Sequence, residues 1–226
     1  FESHSLLELE PPVHSRLRGL VNRAFLSRQV EQLRPKIEAL SNSLIDGFEA
    51  KGEVELLSAY ATPIPVIVIC ELLGVPTTMA DQLLAWSHAM VAMYMAKRDR
   101  AVEDAAVAAT VAFSDYMCAL VKERRKAPRD DLLSELVRAE TEGQKLSEDE
   151  LITTAILILN AGHEATVHSI GNGVKTLLER GKREPITESL IEEILRFGAP
   201  LHLFTRYALE DLDYNGLKLR KGEEVG

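Results

Sequence analysis

The stretch Leu159-Asn160-Ala161-Gly162-His163-Glu164-Ala165-Thr166 sits in the middle of a run, Ser147 to Arg180, that reads as one long helix. Ser147 is a fitting N-cap, and Glu150 three residues later completes a capping-box pattern. Leu151, Ala155, Ile158, Leu159, Gly162 and Thr166 recur at helical spacing. Ile152, Ile156 and Leu157 widen that face until the helix is apolar nearly all round, the mark of a helix buried through a domain rather than laid on it. At 1.5 Å per residue such a helix spans roughly 50 Å. Into this apolar rod the sequence places a glycine, an acid and a small hydroxyl residue side by side. Buried polar groups need partners, so the patch is either an internal hydrogen-bonding defect or a site.

The composition agrees with a helical protein. The chain has 226 residues, 46% of them hydrophobic but only 5% aromatic, so Leu, Ala, Val and Ile carry the core. A formal charge of −9 argues against nucleic acid as a partner, because phosphate binding wants a basic surface. The two cysteines, Cys70 and Cys118, stand in apolar settings without metal-ligand spacing, which suits core thiols in a reducing, cytoplasmic setting. Ile64 to Leu73 is too short to span a membrane and holds Pro65 and Glu71, no other stretch reads as a span, and no signal peptide is visible. No membrane association is expected. The chain begins without Met and ends as strand-like Glu223-Glu224-Val225 appears, so both ends read as cut from something longer.

Outward from the central helix, the elements follow from punctuation and periodicity. Pro11 and Pro12 open a helix to about Phe25. Ser27 caps the next segment, which Pro35 divides, and the stripe Ile37, Leu40, Leu44, Ile45, Phe48 runs on to Lys51-Gly52. Glu53 to Leu57 alternates weakly, as a short strand does. Pro63 and Pro65 start a buried helix that closes at Gly74. Further helices are expected over Pro76 to about Met95, over Arg98 to Arg125, and over Asp130 to Glu142 with Gly143 as the stop. After Gly181 a short link leads to a helix from about Thr187 to Phe197. Leu201 to Leu209 reads as a strand, and Leu212 to Leu219 as a hairpin turning at Asn215-Gly216. The expected fold is mainly α with a small β component, without repeats or a dividing linker: a single domain over 1–226.

Four groups of polar residues could carry chemistry. His163 and His168 are five residues apart, about 140° around a helix, whereas the zinc motif needs two His four apart on one face. No metal site is expected from them. Glu193 and Arg196 are spaced for a salt bridge, which on a surface contributes little. His14 and Arg18 put two donors on one helical face, which is either an anion clamp or a solvated face. Arg206, amid apolar residues, wants a partner such as a carboxylate.

Taken in order, these features resemble the cytochrome P450 family, the haem-thiolate monooxygenases, and specifically its soluble bacterial members. The likeness covers nearly the whole chain. It includes Pro11-Pro12-Val13-His14-Ser15-Arg16-Leu17-Arg18, Asn22-Arg23-Ala24-Phe25, Glu71-Leu72-Leu73-Gly74-Val75-Pro76, Ala161-Gly162-His163-Glu164 and Glu192-Glu193-Ile194-Leu195-Arg196. The resemblance implies that His14, Arg18 and Arg206 bond the propionates of haem b. It implies that Ala161 and Gly162 lie on the distal haem face, and that Glu164 helps deliver protons during oxygen activation. Glu193 and Arg196 match the family's structural salt bridge. Leu201, Leu203 and Phe204, with Leu157 and the Met-rich helix around Met90, match walls of an apolar substrate pocket. A ferredoxin or flavoprotein electron donor is implied, and Arg16, Arg23 and Arg28 are candidates for its docking face.

Three departures qualify the likeness. The position after the acid, usually Thr, is Ala165, and the hydroxyl comes one residue later at Thr166, about 100° around the helix. Both remain candidate catalytic positions. The link from Glu179 to Thr187 is short where the family fits another helix. The family's haem-ligating Cys follows the Glu-x-x-Arg helix in a Gly-rich loop that these residues do not reach, so the axial thiolate is expected outside them and the P450-like fold is incomplete. The expected function is insertion of one oxygen atom from O2 into an apolar small molecule by a longer chain. The alternative is a haem-free helical scaffold or binding module.

Overall fold

The computed structural model describes the chain except residues 26, 96–97, 142 and 182–184, and the side chains at 27–30, 140 and 141. The described helices are α1 (Val13–Ala24), α2 (Ser27–Phe48), α3 (Pro63–Leu73), α4 (Ala80–Val91), α5 (Arg100–Lys126), α6 (Leu132–Arg138), α7 (Glu148–Glu179) and α8 (Glu188–Phe197). Three two-stranded antiparallel pairs complete the fold. They are β1 (Glu140–Thr141) with β2 (Gln144–Lys145), β3 (Arg206–Tyr207) with β6 (Glu224–Val225), and β4 (Leu212–Tyr214) with β5 (Leu217–Leu219). Two compact units divide within α7: Phe1–Val167 and His168–Gly226.

The first unit holds one hydrophobic core. Leu17, Leu20, Val21 and Ala24 of α1 are buried, as are Phe113, Met117 and Val121 of α5 and Leu151, Ala155, Ile156 and Leu159 of α7. Trp86 of α4 packs its ring 5.4 Å from Phe113 and 5.9 Å from Tyr116, joining α4 to α5. Helix α3 closes where expected: Gly74 adopts φ +71, and a Cβ there would collide with the Asp131 carboxylate. That carboxylate accepts from Arg124 Nε at 2.6 Å, and Arg124 Nη2 donates to the Gly74 carbonyl at 2.6 Å. Asp131 also caps α6 through the Ser134 N–H at 2.8 Å.

In the second unit, the end of α7 meets α8. Asn172 Nδ2 donates to the Gly198 carbonyl at 3.0 Å, Gly173 lies under Ile194, and the Arg180 guanidinium sits 4.7 Å over the Phe197 ring. Thr187 caps α8 through the Leu190 N–H at 3.2 Å. The hairpin turns at Asn215-Gly216 as expected, both with positive φ.

Several expectations need correction. Pro35 does not divide α2, which runs through it; a proline forfeits one helix bond, and the apolar stripe beyond it holds the same face. Ser27 begins α2, but its side chain lies outside the described residues. Glu53 to Leu57 is not a strand. The Glu55 carboxylate accepts from the N–H groups of Leu57 and Ser58, which starts a π-turn over Leu57–Ala61. The helix expected to reach Glu142 stops at Arg138, and β1 and β2 form a hairpin through Gly143, φ +77. Of Leu201 to Leu209 only Arg206–Tyr207 pairs as strand, because only β6 offers it a partner. Finally, α5 is long and apolar enough by composition to cross a membrane, contrary to the sequence reading. Here Ala106, Ala109, Phe113, Met117, Leu120 and Val121 give it one core-facing stripe.

Candidate functional site

Helix α7 carries the central cluster, and its start is fastened by the expected capping box. The Ser147 N–H donates to Glu150 Oε2 at 2.9 Å, and the Glu150 N–H to Ser147 Oγ at 3.2 Å. Glu150 also forms an ion pair with Arg16 of α1. Burial opposes its charge, but the bonds from Arg16 and Ser147 outweigh burial and hold the carboxyl below its ordinary range. Arg16 thereby ties α1 to the start of α7. Arg23 is exposed, and the Arg28 side chain lies outside the described residues.

About three turns further along α7 the polar patch appears. Ala161 and Thr166 are exposed; Gly162, Glu164 and Ala165 are half-buried; His163 is buried. Gly162 has a packing reason, since a Cβ there would lie 2.7 Å from Ile69 Cδ1 of α3. Thr166 Oγ1 donates to the Gly162 carbonyl at 2.9 Å, so its hydroxyl is bonded within its own helix. His163 Nδ1 lies 3.0 Å from the Leu159 carbonyl. A carbonyl only accepts, so Nδ1 carries the proton. His88 of α4 brings Nε2 to 4.0 Å from Glu164 Oε1, and its ring centre lies 5.6 Å from that of His163. Sequence reading gave His88 no role. Its one signal was a polar ring on an apolar, Met-rich helix.

Beside the patch, Asn160 Nδ2 contacts Met90 Sδ at 3.8 Å. Both line a cleft of about 630 Å³ together with Met93, Tyr94, Ala106 and Thr110. Met90 therefore borders a cavity of ligand size, whereas Leu157, half-buried, does not line it. On α1, His14 is half-buried and Arg18 exposed, and among the described residues neither side chain has a hydrogen-bond or ion partner.

The second unit carries the remaining expected residues. Arg196 Nε and Nη2 each meet a Glu193 oxygen at 2.7 Å, a bidentate pair on the exposed side of α8. The Arg196 bonds hold the Glu193 carboxyl low, and the Glu193 carboxylate raises Arg196 in turn. Arg206 is exposed on β3 and donates Nη1 to its neighbour's carbonyl, Thr205, at 2.8 Å, with no carboxylate partner among the described residues. Leu201, Leu203 and Phe204 are exposed.

Burial, with Glu71 beside it, pushes the Cys70 thiol up to about 11. Cys118 Sγ–H donates to Glu148 Oε1 at 3.6 Å. The donors present do fit a carboxylate-bearing group: His14 and Arg18 share one face of α1, and neither is committed to a protein acceptor among the described residues.

No protein-family model matches the chain. Individual relatives do. It is 36% identical to the polyketide biosynthesis cytochrome P450 PksS of Bacillus subtilis, over 100% of this chain and 56% of that protein. It is 39% identical to the vitamin D(3) 25-hydroxylase of Pseudonocardia autotrophica, over 97% of this chain and 55% of the relative. Among solved structures, P450BioI in complex with a hexadec-9Z-enoic acid ligated acyl carrier protein matches with a TM-score of 0.89 and 30% identity, covering 98% of this chain and 58% of that one. The chain thus spans little more than half the length of the proteins it matches. Such agreement, in order from the helix of His14 and Arg18 to the final hairpin, leaves one assignment: the chain belongs to the bacterial cytochrome P450 family.

Proposed function

We propose that the protein containing this chain is a haem-thiolate monooxygenase that inserts one oxygen atom from O2 into an apolar small molecule. The observation that carries the reading is the pair His14 and Arg18, two cationic or polar donors on one helical face with no acceptor among the described residues. Haem b, once bound, would supply the oxygen activation.

This chain's residues do the rest. In the first unit, His14 and Arg18 would donate to the haem carboxylates and set its orientation. Ala161 and Gly162 keep the distal side free of bulk. Glu164 holds and passes a proton at its half-buried carboxyl. Ala165 has no hydroxyl, and that of Thr166 is committed to Gly162, so a water or a substrate hydroxyl completes the proton route. Met90 borders the cleft of the first unit as a wall for an apolar substrate, and in the second unit the bidentate pair Glu193–Arg196 stiffens α8. Electrons come from a ferredoxin or flavoprotein, and the setting is cytoplasmic. The vitamin D and fatty-acyl ligands named for relatives support a large apolar substrate.

A haem-free helical scaffold or binding module is the second reading. A Soret absorption band on protein purified from its complete gene separates the two. The monooxygenase reading expects the band, and expects Arg18→Ala to reduce haem retention about tenfold, the loss of one charge-assisted bond. Protein without a Soret band, even with haem supplied, overturns it.

A further inference from the structure

We propose that His88, His163 and Glu164 form a binding site for a divalent transition metal of the zinc class. One ligating atom from each lies within 4.8 Å of the others, and His88 Nε2 is 4.0 Å from Glu164 Oε1. Around a tetrahedral zinc, ligand atoms sit about 3.4 Å apart. The cluster is therefore about an ångström too open, and the exposed His88 ring is free to close the difference. All three residues belong to the first unit.

The chemistry of the donor set selects the ion. Two imidazoles and one carboxylate suit zinc, cobalt or nickel and disfavour magnesium and calcium, which take all-oxygen shells. His163 is oriented as a ligand requires. Its Nδ1–H is given to the Leu159 carbonyl at 3.0 Å, which in the neutral ring makes Nε2 the ligating nitrogen. A ligand histidine held through its second nitrogen by a backbone carbonyl has its tautomer and its ring direction fixed. His163 is buried on α7, Glu164 is its neighbour in sequence, and His88 reaches across from α4. A fourth position would be left to water. Sequence spacing concealed this set, because its third member lies on another helix.

The site stands independently of haem, although an ion there would occupy the Glu164 carboxylate. The test is titration of zinc chloride into metal-stripped full chain, followed by calorimetry, with cobalt(II) substitution read by its visible absorption. The expected result is one saturable equivalent and a tetrahedral cobalt spectrum. His88→Ala, at an exposed position, and Glu164→Gln each weaken binding by at least about tenfold, since even outer-shell partners contribute that much. His168→Ala, on the same helix but outside the cluster, leaves binding unchanged, and thermal melts of the apo proteins confirm that all variants fold. Absence of saturable binding, or binding that survives both His88→Ala and Glu164→Gln, overturns the proposal.

Discussion

Arg124 is wholly buried, yet its guanidinium makes three hydrogen bonds. It joins the end of α3, at the Gly74 carbonyl, to the start of α6, at Asp131, and also meets Glu123 Oε1 at 3.0 Å. Replacing it leaves the Asp131 carboxylate buried without its countercharge, which costs about 3–5 kcal/mol. Arg124→Met is therefore expected to lower the urea midpoint sharply, and an unchanged midpoint would show that the knot contributes nothing. None of this was legible in the sequence, where Glu123-Arg124-Arg125-Lys126 looks like an ordinary charged helix end. His88 was hidden for the same reason. A residue's partners across the fold depend on how helices cross, and local spacing does not encode crossings. The pair Glu193 and Arg196 was legible because its partners lie one helical turn apart.

At the scale of elements, the start of α7 shows how local signals succeed. Its capping box forms with both predicted bonds, because all of its atoms lie within four residues. The tertiary addition is Arg16, which further favours the charged form of Glu150. The folded carboxyl is lowered, so its stabilisation is complete above the ordinary value near 4.5 and is lost as pH falls below it toward the folded value. Urea unfolding of wild type and Glu150→Gln should differ most near neutral pH and converge on acidification. A gap independent of pH would assign the effect to packing. Elements that rest on partnership were misread. Glu53 to Leu57 and Leu201 to Thr205 have residues that a strand would accept, but no neighbouring strand takes their backbone bonds. The hairpin at Asn215-Gly216 carried its partner with it and was read correctly.

Across the whole molecule, burial is uneven. The first unit concentrates its apolar side chains in a continuous core, whereas among the described residues of the second only Gly173 and Ala208 are buried. Helix α8 leaves Ile191, Leu195 and Phe197 exposed. Protection against amide exchange follows buried contact. Exchange is therefore expected to be slow in α3, α5 and the first half of α7, and fast in α8 and the β4–β5 hairpin. Equal protection throughout would contradict the division. Fold class and family were legible because helical periodicity and ordered motifs persist over the whole chain. Helix α7 runs from the first unit into the second without a break in pattern. The contact of Gly162 with Ile69 has a consequence for descent. With 2.7 Å between Ile69 Cδ1 and the place a methyl group would take, the two positions share one fixed volume. Along a line of descent, a larger residue at 162 is accommodated where the far end of the Ile69 side chain swings aside or position 69 has been shortened.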